Sequence, residues 1–361
     1  MLYYAENLVS EMLQGIRSAK SFLAPIFLVP VPENGGKVGL DPREKALALK
    51  TIASRISTPN TVEAIREQTG FPNTNLNTVE ILTSYEELVY QNLHFGLWGY
   101  RPRKPFGVMN RPAILFIHGG SWFAGSAAVS ENACRLLAEK ADAVVFNLEQ
   151  SLAPEHPFPC AYEEALLAAK HIVEKAHVYG IDSEKLILSG DSSGGEIACA
   201  LALEKRCPTV ALEMLFYPST YFDLSKRPPF AWKESDFTMR EDEKPLIEFR
   251  LGLGRSDEKG NAALMGLIQK LYIPAGIDAS DPRISPLNGD LANYPKTLLF
   301  TAEYDGLRPQ GEYFASRLHS LKRDVTAYRF EGIHHGFLDK LGTLPQAEAA
   351  IILASNVIKS L

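Results

Sequence analysis

From about Thr78 onward, short unbroken apolar runs alternate with stretches of helical periodicity. Ala113–Ile117, Ala143–Leu148, Leu186–Leu188 and Val210–Phe216 are apolar at nearly every position, as strands covered on both faces are. Lys296–Thr301 and Val325–Phe330 extend the series. Helical spacing appears over roughly Ser130–Ala141, Tyr162–Tyr179, the segment that follows Ser192, Gln310–Lys322 and Leu344–Ile358. Val79–Leu82 and Leu93–Tyr100 read as two earlier strands joined antiparallel. Strands that alternate with helices predict an α/β fold with a mostly parallel, doubly wound sheet.

Two stretches break that alternation. In residues 1–75, Leu8, Met12, Ile16 and Ala19 recur at helical spacing. Lys45–Ile56 and Thr61–Gln68 also read as helices, the second with Thr61 as its N-cap. No strand signal is visible there. The spacing predicts an N-terminal helical cap segment over 1–75, followed by a catalytic domain over 76–361. Within that domain, residues 218–285 again lack a strand. They carry the Pro- and aromatic-rich Arg227–Trp232, a charged run Arg240–Lys244, and helical patches at Leu246–Leu253 and Ala262–Leu271. An insertion at the C-terminal edge of a parallel sheet lies over the ligand site, so it is read as a lid.

Composition narrows the class. With 361 residues, 46% of them apolar, the chain can bury a large core. A net charge of −6 gives no electrostatic case for nucleic acid or an anionic membrane. Cys134, Cys160, Cys199 and Cys207 have neither Cys-x-x-Cys spacing nor histidine partners, as expected of buried thiols in a reducing compartment. The apolar piece Ala24–Val31 is short and interrupted by Pro25 and Pro30, so neither a signal peptide nor a membrane span is expected. A cytoplasmic location is the default; a homo-oligomer is compatible with the chain but not readable from it.

The chemistry centres on Gly190-Asp191-Ser192-Ser193-Gly194, between an apolar run and a small-residue helix. A strand that turns at once into a helix holds its central serine on a strained corner. Glycines there let the two backbones approach. The corner lifts the Ser192 hydroxyl to the positive end of the helix, and the Ser193 N–H faces a developing oxyanion. A serine needs a base, and the base needs a carboxylate to hold it. Both follow at later strand ends: Asp305 after the run ending at Thr301, and His335 after the run ending at Phe330. The order Ser192, Asp305, His335 is that of α/β-hydrolases; a chymotrypsin-like protease would place its histidine upstream. His334 and His335 lack a third ligand at useful spacing, so no metal site is expected.

Four blocks in this order resemble the hormone-sensitive-lipase family of α/β-hydrolase esterases: His118-Gly-Gly-Ser-Trp122, Leu152-Ala-Pro-Glu-His-Pro-Phe-Pro159, Gly190-Asp-Ser-Ser-Gly-Gly195, and Glu303-Tyr-Asp305 with His335-Gly-Phe337. Ser285-Pro-Leu287 also resembles a segment of that family, and the match runs from about Thr78 to the end. The resemblance implies Ser192 as nucleophile, Asp305 as orienting acid and His335 as base. It implies an oxyanion hole from the N–H groups of Gly120, Ser121 and Ser193, with Gly119 letting the loop fold close. Glu303 is a weaker alternative to Asp305; His118, His156 and Asp191 read as structural. Trp122 and Phe123 are candidates for the substrate pocket, with a place in the core as the alternative. Two departures stand out: Ser121 where the family has glycine, and Gln150-Ser151 where it has Tyr-Arg. The implied activity is a serine carboxylesterase acting on small-molecule esters with acetyl to hexanoyl groups, needing no cofactor. The alternative is a catalytically silent binding protein of the same fold, as plant gibberellin receptors are; those lack the histidine that stands here at 335.

Overall fold

The computed structural model describes residues 4–19, 26–53, 61–103, 110–222, 229–231, 233–252 and 262–361. The N-terminal part contains α1 (Leu8–Gln14), β1 (Arg17–Ser18), β2 (Ile26–Val29), α2 (Pro42–Ala53) and α3 (Val62–Gln68). Then come β3 (Ile81–Tyr90), β4 (Leu93–Pro102), β5 (Arg111–Ile117), α4 (Ala127–Ala141), β6 (Val144–Glu149), α5 (Cys160–Glu174) and α6 (Ala176–Tyr179). The chain continues through β7 (Ile181–Asp191), α7 (Ser192–Leu203), β8 (Leu212–Phe216), α8 (Lys244–Gly252) and α9 (Ala262–Tyr272). It closes with β9 (Thr297–Tyr304), α10 (Arg308–Ser320), β10 (Val325–His334) and α11 (Pro345–Ile358). No helix among the described residues is long and apolar enough to cross a membrane.

Among the described residues one ten-stranded sheet runs in the order β1-β2-β10-β9-β8-β7-β5-β6-β4-β3. From β2 to β6 every neighbour is parallel, while β1, β4 and β3 are antiparallel to theirs. Alternate residues of each parallel strand enter two separate cores. Ala113, Leu115 and Ile117 pack under α5, α7 and α10, whereas Ile114 and Phe116 pack under α4 and α11. That two-sided burial explains why these runs are apolar throughout.

The expectation of a strand-free N-terminal segment is corrected. Ile26–Val29 pairs in parallel with Ala327–Phe330, and so covers the edge of β10 that would otherwise present unpaired N–H and C=O groups. Pro25 and Pro30 bracket the strand, which is where proline is tolerated beside a ladder. The long helix read over Tyr162–Tyr179 breaks at Lys175 into α5 and α6. The first antiparallel strand runs over Ile81–Tyr90, C-terminal to the Val79–Leu82 read from the sequence. Thr61 does cap α3: its hydroxyl accepts from Ala64 N at 3.2 Å. Residues 54–56 of one expected helix, Leu253, and 227, 228 and 232 of the aromatic stretch lie outside the described residues.

A third, smaller core joins the two off-pattern regions. Leu40 and Ala48, at and within α2, pack with Leu246, Ile247 and Leu251 of α8 and with Tyr304 at the end of β9. Glu243, at the entry to α8, accepts from Leu40 N and pairs with Lys45 at 2.9 Å. The N-terminal segment and the 218–285 insertion thus meet beside the strand end that leads into Asp305.

Candidate active site

The site stands where β5, β7, β9 and β10 end, at the C-terminal edge of the parallel sheet, where open α/β folds bind ligands. β7 delivers Asp191 directly into the first turn of α7, which begins at Ser192. Ser192 has φ +53, a left-handed conformation that costs a side-chain-bearing residue roughly 1–2 kcal/mol. Crowding fixes what surrounds it. A Cβ on Gly194 would lie 2.0 Å from the Ile117 carbonyl oxygen, so only glycine lets α7 sit this close to β5.

Three side chains from three strand ends meet. The Ser192 hydroxyl donates to His335 Nε2 at 2.8 Å. His335 Nδ1–H donates to Asp305 Oδ2 at 2.7 Å. The second carboxylate oxygen of Asp305 accepts from Leu307 N at 2.8 Å, and the carboxylate is buried. This network sets the tautomer: a proton on Nδ1 and a lone pair on Nε2 facing the serine. Burial pulls the His335 imidazole down, but the charge and hydrogen bond of Asp305, with Asp191 and Asp339 further off, outweigh it and raise the ring above its ordinary value. Glu303 is elsewhere: it accepts from Gly332 N at 2.7 Å and steadies the loop that carries His335.

The His118–Trp122 loop lies opposite. Gly119 N–H donates to Asp191 Oδ1 at 2.7 Å, so Gly119 belongs to the oxyanion loop as its anchor and its N–H is engaged. No hydrogen bond engages the N–H groups of Gly120, Ser121 or Ser193 among the described residues, which leaves these three for a substrate oxygen. Gly120 has φ +129, and a Cβ there would collide with the Ala124 carbonyl at 2.0 Å. Ser121 and Trp122 follow with φ +56 and +64. Ser193 contributes a second time, its hydroxyl accepting from Trp122 N at 3.3 Å. Gln150 and Ser151 rebuild support at the positions that depart from the family: Gln150 Nε2 donates to the His118 carbonyl at 2.9 Å, and Ser151 Oγ donates to Glu164 at 2.6 Å.

Trp122 and Phe123, read as candidates for the pocket, do not line the cavity; both are core residues. Trp122 stacks on Tyr272 of α9 with centroids 4.9 Å apart and meets Phe222 edge-on at 5.2 Å. Its indole N–H donates to buried Glu196 at 2.8 Å. The cavity, about 190 Å³, is lined instead by Ser192, His335, Gly119–Ser121 and Asp191, with Ile65 and Thr69 from the N-terminal segment and Asp339 beyond the histidine. No described residue of 218–285 lines it.

Sequence reasoning missed how the N-terminal segment holds the site. Arg66 of α3 donates through Nε to the Phe123 carbonyl at 2.7 Å and through Nη2 to the Ala153 carbonyl at 2.8 Å, and it pairs with Glu155. Glu44 of α2 is fully buried, with Oε1 2.8 Å from His334 Nδ1 and 3.4 Å from Arg250 of α8, and Oε2 3.7 Å from Lys340. Burial alone would raise its carboxyl; facing His334, Lys340 and Arg250 hold it down at about 2. His334 therefore faces away from the serine. Nothing in the periodicity of α2 or α3 marks Glu44 or Arg66, because their partners are distant in sequence.

The α/β hydrolase fold family matches residues 114–339, well over half of the chain. Esterase LipI of Mycobacterium tuberculosis is 29% identical over 245 residues, covering 66% of this chain and 69% of that protein. An ethyl acetate hydrolase of Pseudomonas putida is 29% identical over 265 residues, covering 72% and 76%. Among solved structures, an esterase of Pyrobaculum calidifontis superposes with a TM-score of 0.71 at 27% identity, covering 89% of this chain and 98% of that one.

Proposed function

The chain belongs to the α/β hydrolase fold family and is a carboxylic-ester hydrolase of the hormone-sensitive-lipase type; from that premise we propose that it cleaves short-chain acyl esters through an acyl-enzyme on Ser192. One observation carries this reading above the others: Ser192, His335 and Asp305 form a continuous hydrogen-bonded chain of 2.8 and 2.7 Å. Ser192 Oγ attacks the ester carbonyl as His335 Nε2 takes its proton. The oxyanion rests on the N–H groups of Gly120, Ser121 and Ser193, at the positive end of α7. His335 then hands the proton to the departing alcohol. Water, activated by the same nitrogen, releases the acid and restores the serine.

The preference for acetyl to hexanoyl groups rests on space. A cavity of about 190 Å³ is smaller than the roughly 300–1,000 Å³ of sites for drug-sized ligands. The Trp122–Tyr272–Phe222 packing closes the fold behind the oxyanion loop. Residues 1–75 act in this reading as a cap that contributes Ile65 and Thr69 to the wall, and 218–285 as a lid that backs the cap. A series of p-nitrophenyl esters of rising acyl length tests the preference. kcat/KM is expected to peak between acetyl and hexanoyl and to fall at least tenfold by dodecanoyl. A steady rise through dodecanoyl, with activation at an oil–water interface, would contradict it.

A further inference from the structure

His334 and Tyr304 form the last cross-strand pair of β10 and β9, and each is followed at once by a member of the proposed triad, His335 and Asp305. The ladder alone does not fix that pair. Its register shifts between Phe330 and His334, and Gly332, inside the irregularity, has φ +71. The N-terminal segment supplies contacts from outside the sheet. Asp41 N donates to the Gly332 carbonyl at 2.8 Å, and a Cβ on Gly332 would lie 2.7 Å from that same nitrogen. Tyr304 belongs to the small core of α2 and α8, and its hydroxyl donates to the Thr238 carbonyl at 3.1 Å.

Glu44, in the first turn of α2, reaches His334 itself. Both are buried, and Glu44 Oε1 stands 2.8 Å from His334 Nδ1. Lys340 Nζ lies 3.2 Å from Nε2 of the same ring. An ammonium only donates, so Nε2 keeps its lone pair and Nδ1 carries the proton that faces the carboxylate. Burial pushes this imidazole down to about 4, so it is neutral wherever His335 can act as a base. Arg250 at 3.4 Å and Lys340 at 3.7 Å face the Glu44 charge. Glu44, His334, Lys340 and Arg250 all stand outside the cavity lining.

We propose that Glu44 is a positioning residue for the base: by gripping His334 from α2, it seats the next residue, His335, against Asp305 and Ser192. The inference rests on the carboxylesterase reading and adds to it a residue that stands outside the cavity. A displaced base costs rate rather than binding, since a misplacement of about 1 Å can cost about a hundredfold. Acylation and deacylation both use His335, so the two steps slow together and KM holds.

Glu44→Gln, His334→Leu, the two combined, and Lys45→Ala are compared on p-nitrophenyl acetate across pH, with circular dichroism as a check on folding. His334→Leu is the deciding variant, because it leaves Glu44 facing Lys340 and Arg250 and changes no charge at neutral pH. The groups that face His335 are untouched in it: Asp305, Asp191 and Asp339, with uncharged Tyr217 packed on the ring. Its kcat is expected to fall at least about tenfold, with KM within about threefold. The acid-limb midpoint of kcat/KM is expected to move down, because a ring drawn away from Asp305 loses the charge that favours its protonated form. Glu44→Gln should show the same losses, and the double variant should fall no further than the slower single one, since both cut one link. Lys45→Ala breaks the neighbouring pair with Glu243 without touching His334, and its kcat should stay within about twofold of wild type. A smaller loss of kcat in a folded His334→Leu or Glu44→Gln protein, or an unmoved midpoint in His334→Leu, overturns the proposal. So does a loss in Lys45→Ala equal to that in Glu44→Gln. If the wild-type protein does not hydrolyse the ester at all, it is the carboxylesterase reading that fails.

Discussion

Replacing Asp305 with asparagine tests the geometry with almost no change in shape. The wild-type carboxylate accepts twice, from His335 Nδ1–H and from Leu307 N–H. An amide has one oxygen for these two donors. If the oxygen serves Leu307, the NH2 group faces Nδ1, which drives the histidine proton to Nε2 and leaves no lone pair for Ser192. If the oxygen serves His335, the NH2 group faces a buried backbone N–H. The first arrangement removes the base, and the donor–donor clash at Leu307 disfavours the second, so kcat is expected to fall about 10⁴-fold, roughly 5 kcal/mol of transition-state stabilisation. The pH profile moves as well. Burial lowers the His335 ring, and the Asp305 carboxylate is the foremost of the charges that raise it. Asp191 and Asp339 also face the ring, and Tyr217 packs on it at 4.8 Å without charge. The wild-type acid limb of kcat/KM should therefore lie above the ordinary histidine value of about 6.5. With Asp305 neutralised, its midpoint should fall, because less anionic charge remains to favour the imidazolium. Steady-state kinetics across pH, with circular dichroism as a check on folding, supply both readings. A kcat within tenfold of wild type, or a midpoint that moves upward, would refute the reasoning.

Glu44→Ala leaves Lys340 and Arg250 buried without their counter-charge, so urea unfolding is expected to show a loss of about 3–5 kcal/mol; a loss below about 1 kcal/mol would mean the cluster is not an ion pair of consequence. Ser121→Gly keeps the backbone N–H and removes a left-handed strain of roughly 1–2 kcal/mol, so kcat should stay within about twofold and stability should not fall; a tenfold drop in kcat would assign a role to the hydroxyl. Proline at the same position is uninformative, since its ring cannot adopt φ +56.

The parallel strands were legible because burial on both faces writes itself into consecutive positions, as in Ala113–Ile117. The candidate reactive residues were legible for a related reason: each stands a few positions beyond the end of such a run, Ser192 after Leu188, Asp305 after Thr301 and His335 after Phe330. Ile26–Val29 was not, since four apolar residues between prolines carry no period, and their partner lies 301 residues away at Ala327–Phe330. The choice between pocket and core was not legible for Trp122 and Phe123, because an aromatic beside a catalytic loop looks the same in sequence whether it faces substrate or core. Here Glu196 and Tyr272, from two distant helices, turn Trp122 inward. Arg66 and Glu44 act across the fold rather than along their own helices, so no local pattern announces them.

The central claim is that the acyl group passes through Ser192. Acid-quenched turnover of p-nitrophenyl acetate, followed by peptide mass spectrometry, reads it directly. The account predicts one acetyl group, carried by the peptide that contains Ser192, absent in Ser192→Ala, and accumulating in Asp305→Asn only as slowly as that variant turns over. An acetyl group found on Ser193 or on another residue, or steady hydrolysis by a folded Ser192→Ala protein, would contradict it.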